Sequence, residues 1–196
     1  MKNILIVGAG GIGSWLAFNL YELERHGQLN NVAITFADDD TVDPSNLKYQ
    51  HFETQDTLDY KVESLSARYG FLSIAERIES ENILNEYDCV ICAVDNTIFR
   101  KLLFNWASKN PEKYWMDFRS EGSSLAAFTK SPDNTLSKML ETLGTEEVED
   151  GSCQREWELK EGIVQNGNKI VACIASQYVL NYTRNKPSPP KVILSL

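Results

Sequence analysis

The first two dozen residues constrain the chain most. Residues 3–7 (Asn-Ile-Leu-Ile-Val) are an apolar run too short for a helix and rich in β-branched side chains, the pattern of a buried strand. Gly8-Ala9-Gly10-Gly11-Ile12-Gly13 follows at once, and from Ser14 onward Trp15, Leu16, Leu20 and Leu23 recur at helical spacing. Strand, glycine turn and helix in that order open a nucleotide-binding βαβ unit. The spacing Gly8-x-Gly10-x-x-Gly13 lets the main chain turn tightly and approach a phosphate. Free N–H groups and the positive end of the helix dipole then face that phosphate. Glycine-rich turns without a ligand share the spacing, so the rest of the chain has to decide.

Strands and helices go on alternating. Residues 32–37 read as a second strand, with Asp38-Asp39-Asp40 at its carboxyl end and a turn at Pro44-Ser45-Asn46. Residues 61–69 read as a helix with Val62, Leu65 and Tyr69 on one side, and 71–75 as a third strand. The apolar run 87–94 is a strand that ends at Asp95-Asn96. A helix over 97–109 follows, built on Ile98, Leu102, Leu103 and Trp106, and strands come next at 114–118 and 124–128. This order predicts an α/β fold: a doubly wound, mainly parallel sheet with a Rossmann-like start and a mixed C-terminal part. Such sheets bind ligands at the carboxyl ends of their strands, so Gly8, Asp38 to Asp40 and Asp95 should line one crevice.

Residues 131–152 differ in character. Asp133, Glu141, Glu146, Glu147, Glu149 and Asp150 stand against Lys138 alone, which predicts an acidic mobile loop with a short helix near 136–143. A final helix is expected over 168–183 with Ile170, Ile174, Tyr178 and Tyr182 facing the core, then a proline-rich stop and an edge strand over 191–196. At 196 residues one domain is expected over 1–196. Lys+Arg is 19 against Asp+Glu 28, a net charge of -9, which leaves no basic excess for nucleic acid. No run reaches membrane-span length, and the glycines break the apolar N-terminus as a signal peptide. With Cys89, Cys92, Cys153 and Cys173 as its four cysteines, the chain is expected in a reducing cytoplasm.

Downstream residues separate two nucleotide readings. Gly8 to Gly13 followed by Asp38, 25 residues after Gly13, also fits an NAD(P)-dependent oxidoreductase. However, Asp38-x-Asp40-Thr41-Val42-x-x-Ser45-Asn46-Leu47-x-x-Gln50 resembles the signature Asp-x-Asp-x-Val-x-x-Ser-Asn-Leu-x-Arg-Gln of the ThiF/MoeB/HesA family, whose fold is shared by ubiquitin-activating enzymes. Lys61, then Cys92-Ala93-Val94-Asp95-Asn96 with Arg100, then Arg119-Ser120-Glu121-Gly122 continue the resemblance in family order over residues 4–128.

The resemblance implies ATP-dependent adenylation of a C-terminal carboxylate, with release of Mg-pyrophosphate. The acceptor would be a small ubiquitin-like or sulfur-carrier protein, or a peptide. It implies that Gly8, Gly10, Gly11 and Gly13 cradle phosphate and that Asp38 holds the ribose beside Asp40. Asn46 and Lys61 would meet the phosphates, Gln50 would set the phosphate loop, and Asp95 would bind magnesium. A homodimer or heterodimer is implied too. Each residue keeps a plainer reading: a solvated aspartate turn, a surface helix lysine at 61, an N-cap at Asp95-Asn96, a surface pair at Arg119 and Glu121.

Departures from the pattern matter. Tyr49 stands where the family has an arginine, and it carries no charge. The N-terminal segment that lends an arginine to a partner's site is not expected here, so that charge would come from elsewhere. This keeps a second reading open, a non-catalytic or partner-dependent subunit. Cys89-x-x-Cys92 lies within one predicted strand, which sends the thiols to opposite faces and makes both core cysteines rather than zinc ligands. Cys153, after the acidic loop, is the candidate for a thioester, although Glu149, Asp150 and Glu156 beside it oppose a thiolate. Cys173 is expected to be buried, and His51 is expected to be incidental.

Overall fold

Five parallel strands meet the expectation of a doubly wound sheet, and two antiparallel strands finish it. The computed structural model describes residues 1–144 and 160–196. Along the chain run β1 (Lys2–Val7), α1 (Gly11–Arg25), β2 (Val32–Ala37), α2 (Lys61–Tyr69), β3 (Leu72–Ile74), α3 (Glu81–Leu84), β4 (Cys89–Cys92) and α4 (Thr97–Lys109). Then come β5 (Tyr114–Glu121), β6 (Ser124–Thr129), α5 (Leu136–Glu141), α6 (Gly167–Thr183) and β7 (Lys191–Ser195). The sheet order is β3-β2-β1-β4-β5-β6-β7. β1 pairs in parallel with both β2 and β4, β4 with β5, and the β5–β6 and β6–β7 pairs are antiparallel.

Alternation along β1 divides the core. Ile4 and Ile6 pack with Leu16 of α1, Leu65 of α2 and Val171 of α6 on one face. Leu5 and Val7 pack with Leu103 and Trp106 of α4 on the other. Cys89 and Cys92 follow the same rule: both are buried and they belong to opposite faces, as a three-residue offset in a strand requires. Burial pushes both thiols up, Cys92 to about 12.

Four expectations need correction. α1 starts at Gly11, within the glycine loop, and so earlier than the Ser14 at which the apolar spacing begins. α6 turns a different face inward: Val171, Ala172, Ala175, Tyr178 and Val179 are buried, while Ile170, Ile174 and Tyr182 are half-buried at its flanks. Ala172 and Ala175 supply small side chains to that stripe, where α6 is wedged between α1 and strands β5 and β6. The same rotation leaves Cys173 exposed, contrary to expectation. On α4, Phe99, Leu103, Phe104 and Trp106 are buried and Ile98 is 42% exposed. No helix among the described residues is long and apolar enough to cross a membrane.

Candidate functional site

A cavity of about 740 Å³ opens at the carboxyl ends of β1, β2 and β4. Gly8, Gly10, Gly11, Asp38, Asp40, Asn46, Gln50, Lys61 and Asp95 all line it, so one crevice gathers nearly every residue that the sequence singles out. Gly13 does not line it. A Cβ at Gly13 would lie 1.9 Å from the Gly8 carbonyl oxygen, so this glycine lets α1 close onto the turn. At Gly8, φ is +104° and a Cβ would lie 2.7 Å from the Ala93 carbonyl, so the close approach of β1 and β4 requires glycine. Cys153 and the acidic residues Glu146, Glu147, Glu149 and Asp150 lie outside the described residues.

Local bonding explains how the side chains converge. Asp38 Oδ2 accepts from the Ala9 N–H at 2.6 Å and Oδ1 from the Asp40 N–H at 2.9 Å, which ties β2's end to the glycine loop. Burial raises the Asp38 carboxyl above the usual range despite Lys61 nearby. The Lys61 N–H donates to the Asp40 carbonyl at 2.9 Å, Thr41 bridges Tyr60, and the Val42 N–H donates to Asp59. This clasp sets the Lys61 ammonium 2.6 Å from Asp40 Oδ2. Burial works against the ammonium, but the Asp38 and Asp40 carboxylates outweigh it and hold Lys61 above its ordinary value. The surface-lysine reading fails here, because the Lys61 side chain is only 7% exposed.

Asn46 lies in the short 3-10 turn over Pro44–Lys48, and Gln50 follows its C-cap, Tyr49. Asn46 Oδ1 accepts from the Asp43 N–H at 3.0 Å, and the Gln50 N–H donates to the Asn46 carbonyl at 2.8 Å. Gln50 Oε1 is buried without a hydrogen-bond partner among the described residues. Tyr49 lines the cavity too, with its hydroxyl 3.3 Å from Asn46 Nδ2. Asp95 and Asn96 divide their work: Asn96 Oδ1 caps α4 by accepting from Ile98 and Phe99 at 2.7 and 3.1 Å, while the Asp95 side chain stays on the cavity wall. Burial raises the Asp95 carboxyl above its ordinary value.

Two features escaped the sequence. Glu76, Arg77, Ile78 and Glu79, between β3 and α3, form part of the wall, and Arg77 Nε donates to Asp39 at 3.1 Å. No motif marks this segment. Behind the site, Asp117 is fully buried and accepts from Arg100 Nε at 3.1 Å and Arg119 Nε at 2.7 Å. Arg100 also donates to the Val94 carbonyl, next to Asp95, and Arg119 donates to the Thr142 carbonyl at 3.0 Å. The two arginines outweigh burial and hold Asp117 below the usual carboxylate range. An aspartate inside the apolar stretch Trp115-Met116-Asp117-Phe118 was the available signal. Arg119 therefore belongs to this buried cluster and is no plain surface residue.

The charge of the wall limits what can bind. Asp38, Asp39, Asp40, Glu76, Glu79 and Asp95 face Lys61 and Arg77 among the residues that line the cavity. A polyphosphate entering such an acidic site needs added positive charge. Asp95 is a suitable donor for a hard divalent cation, which prefers carboxylate oxygen. Its desolvated carboxyl is also one that a bound cation would stabilise in the charged form. The glycine loop and the uncapped N-terminus of α1 fit phosphate.

A family model described as the ThiF family matches residues 1–194. Solved structures of E. coli MccB share the fold. MccB with ATP gives a TM-score of 0.65 at 16% identity, with 100% of this chain and 60% of MccB covered. MccB without a named ligand gives 0.66 at 17% identity, with 100% and 59% covered. MccB with MccA-N7isoASN gives 0.64 at 18%, with 100% and 62% covered. The chain thus spans about 60% of the length of that protein. No curated protein matches it.

Proposed function

The chain belongs to the ThiF family, and from that premise we propose that it binds Mg-ATP in the cavity and adenylates the C-terminal carboxylate of a peptide or small protein. The convergence of Gly10, Asp38, Asn46, Lys61 and Asp95 on one wall carries this reading. A carboxylate oxygen of the acceptor attacks the α-phosphorus. The bond from that phosphorus to the bridging oxygen breaks, and pyrophosphate leaves with the electron pair. The product is an acyl-adenylate. MccB has been solved with ATP and with MccA, which supports a nucleotide and a second, acceptor substrate for this chain.

The residues divide the work by their chemistry. Main-chain N–H groups at Gly10 and Gly11, on the cavity wall, receive phosphate oxygens. Lys61, held charged by Asp38 and Asp40, offsets the negative charge that gathers as two anions meet. Asp38 presents a carboxylate oxygen to the ribose hydroxyls. Asp95 would hold magnesium, which when bound supplies charge neutralisation for the leaving pyrophosphate.

A partner-dependent form of this reading has its own support. Tyr49 lines the cavity where the family pattern has arginine, and acidic side chains predominate on the wall. A cation from a second subunit would complete such a site, and the expected dimer and cytoplasmic setting belong to this proposal.

The test is a thermal-shift titration of the chain with Mg-ATP and, in parallel, NAD. A ligand at about 100 times its dissociation constant adds about 2.7 kcal/mol to the folded state. Stabilisation by Mg-ATP alone supports the proposal, and stabilisation by NAD alone replaces it with an oxidoreductase. A chain that Mg-ATP stabilises only after a second subunit is added supports the partner-dependent form.

A further inference from the structure

α6 begins at the carboxyl edge of the sheet, beside the glycine loop. A Cβ at Gly167 would lie 2.4 Å from the Gly122 carbonyl oxygen and 2.6 Å from Ser120 Oγ, so the start of α6 is pressed against the end of β5. One residue on, Asn168 is 1% exposed, and its amide packs on Gly11: a Cβ there would lie 2.3 Å from Asn168 Nδ2. Gly11 is the first residue of α1 and lines the cavity. Neither helix has a side-chain cap or an acidic residue in its first turn. At this junction Asn168 Nδ2, Asn168 Oδ1 and Ser120 Oγ are all buried with no hydrogen-bond partner among the described residues. Buried polar atoms are nearly always paired, so such a group of orphans marks a place that something else completes.

We propose that Asn168 and Ser120 form a subsite that reads the main chain of the acceptor's C-terminal tail as it approaches the glycine loop; this rests on the adenylation reading above. The chemistry selects the ligand. A carboxamide offers a donor and an acceptor side by side, and its complement is another amide with C=O and N–H side by side, a peptide group. A phosphate or carboxylate would use Nδ2 but would set an anion against Oδ1. A nucleobase edge offers a similar pair. However, a nucleotide with phosphates on the glycine loop and ribose at Asp38 extends over β2, while α6 stands on the β5 side of β1. The two uncapped helix starts favour the negative charge of the tail's terminal carboxylate. Recognition through the main chain leaves the tail's own side chains unread here.

The test uses solution NMR on the full isotope-labelled chain, with Mg-AMPCPP and N-acetyl-glycylglycine as probes. The dipeptide, raised to the order of tens of millimolar, is expected to shift the Asn168 side-chain amide pair and the Gly167 N–H saturably. Asn168→Ala and, separately, Ser120→Ala are expected to weaken the dipeptide about tenfold, and Ser120→Ala, which does not touch the glycine loop, is expected to leave the glycine-loop shifts with Mg-AMPCPP unchanged. Unchanged spectral dispersion shows that each variant folds. If Mg-AMPCPP moves the glycine loop and the dipeptide leaves Asn168 still, the subsite is wrong and the adenylation reading stands. If the dipeptide moves Asn168 and Mg-AMPCPP moves nothing, a peptide contact at Asn168 remains, but the adenylation reading falls and the acceptor-tail subsite falls with it. A shift of the Asn168 amide by Mg-AMPCPP alone assigns the orphans to the nucleotide and overturns the subsite.

Discussion

The Lys61 ammonium sits 2.6 Å from the Asp40 carboxylate, with the lysine side chain 7% exposed and the aspartate 61% exposed. The lysine is therefore fixed by its surroundings, and the carboxylate is free to move. A bound phosphate can take over the ammonium while Asp40 turns to solvent. Lys61→Ala removes one charge-assisted contact worth about 1.5–3 kcal/mol, so Mg-ATP affinity is expected to fall about tenfold to a hundredfold by calorimetric titration. Lys61→Arg is not expected to rescue it, because a planar guanidinium does not fit the socket of a compact ammonium.

Asp95 gives the site a pH dependence of known sign. Burial raises both Asp95 and Asp38, so as pH falls each takes up a proton before an exposed aspartate would. Protonation removes the charge that would hold magnesium. Mg-ATP affinity is therefore expected to weaken at a pH above the ordinary aspartate range of about 4. Asp95→Asn is expected to bind weakly throughout and to flatten that limb. Calorimetric titration across pH, with and without magnesium, makes the comparison.

Much of this site was legible before the fold, because its residues lie at strand ends and in short ordered motifs. Gly8, Asp38 and Asp95 follow apolar runs, and a parallel sheet brings the ends of such runs together. Other parts depend on packing that one sequence does not encode locally. Cys173 and Ile174 are neighbours on α6, and only the wedge between α1 and the sheet leaves Cys173 exposed and Ile174 half-buried while Ala172 and Ala175 turn inward. Arg77 reaches the cavity because parallel pairing sets β3 beside β2, and its own sequence context is unremarkable loop. Asp117 was visible as a charge inside a strand, but its partners come from 17 residues before it and two after it.

Asp117 is expected to be the costliest of the site's carboxylates to remove. It is fully buried between two guanidinium groups, and a buried charge left without its partner costs about 3–5 kcal/mol. Asp117→Ala should therefore lose that order of stability in urea unfolding at neutral pH. The acid dependence follows from the lowered carboxyl. Its contribution is present above the unfolded-state value of about 3.9 and is lost as pH falls through the lower folded-state value. Wild-type stability should decline through that window, and the variant should lack this component.

Gly13 and Gly10 separate packing from ligand contact. A Cβ at Gly13 would lie 1.9 Å from backbone, while one at Gly10 would meet only Gln50 Nε2 at 3.8 Å. Gly13→Ala is expected to lower Tm more than Gly10→Ala. Gly10→Ala is expected to act mainly on Mg-ATP binding, because Gly10 lines the cavity and Gly13 does not.

The cysteines test the placement of β4 and α6 together. Cys89 and Cys92 are buried on opposite faces of a central strand, and burial pushes both thiols up, Cys92 to about 12. At mildly alkaline pH neither presents a thiolate or a path for reagent. Cys173 is exposed on α6, with Asn19 Nδ2 3.8 Å from its sulfur. Brief treatment of the native chain with iodoacetamide, read by peptide mass spectrometry, is expected to modify Cys173 and to spare Cys89 and Cys92 until denaturant is added. Rapid native labelling of Cys92 would mean that β4 does not sit between β1 and β5, and the cavity wall at Asp95 would have to be rebuilt with it.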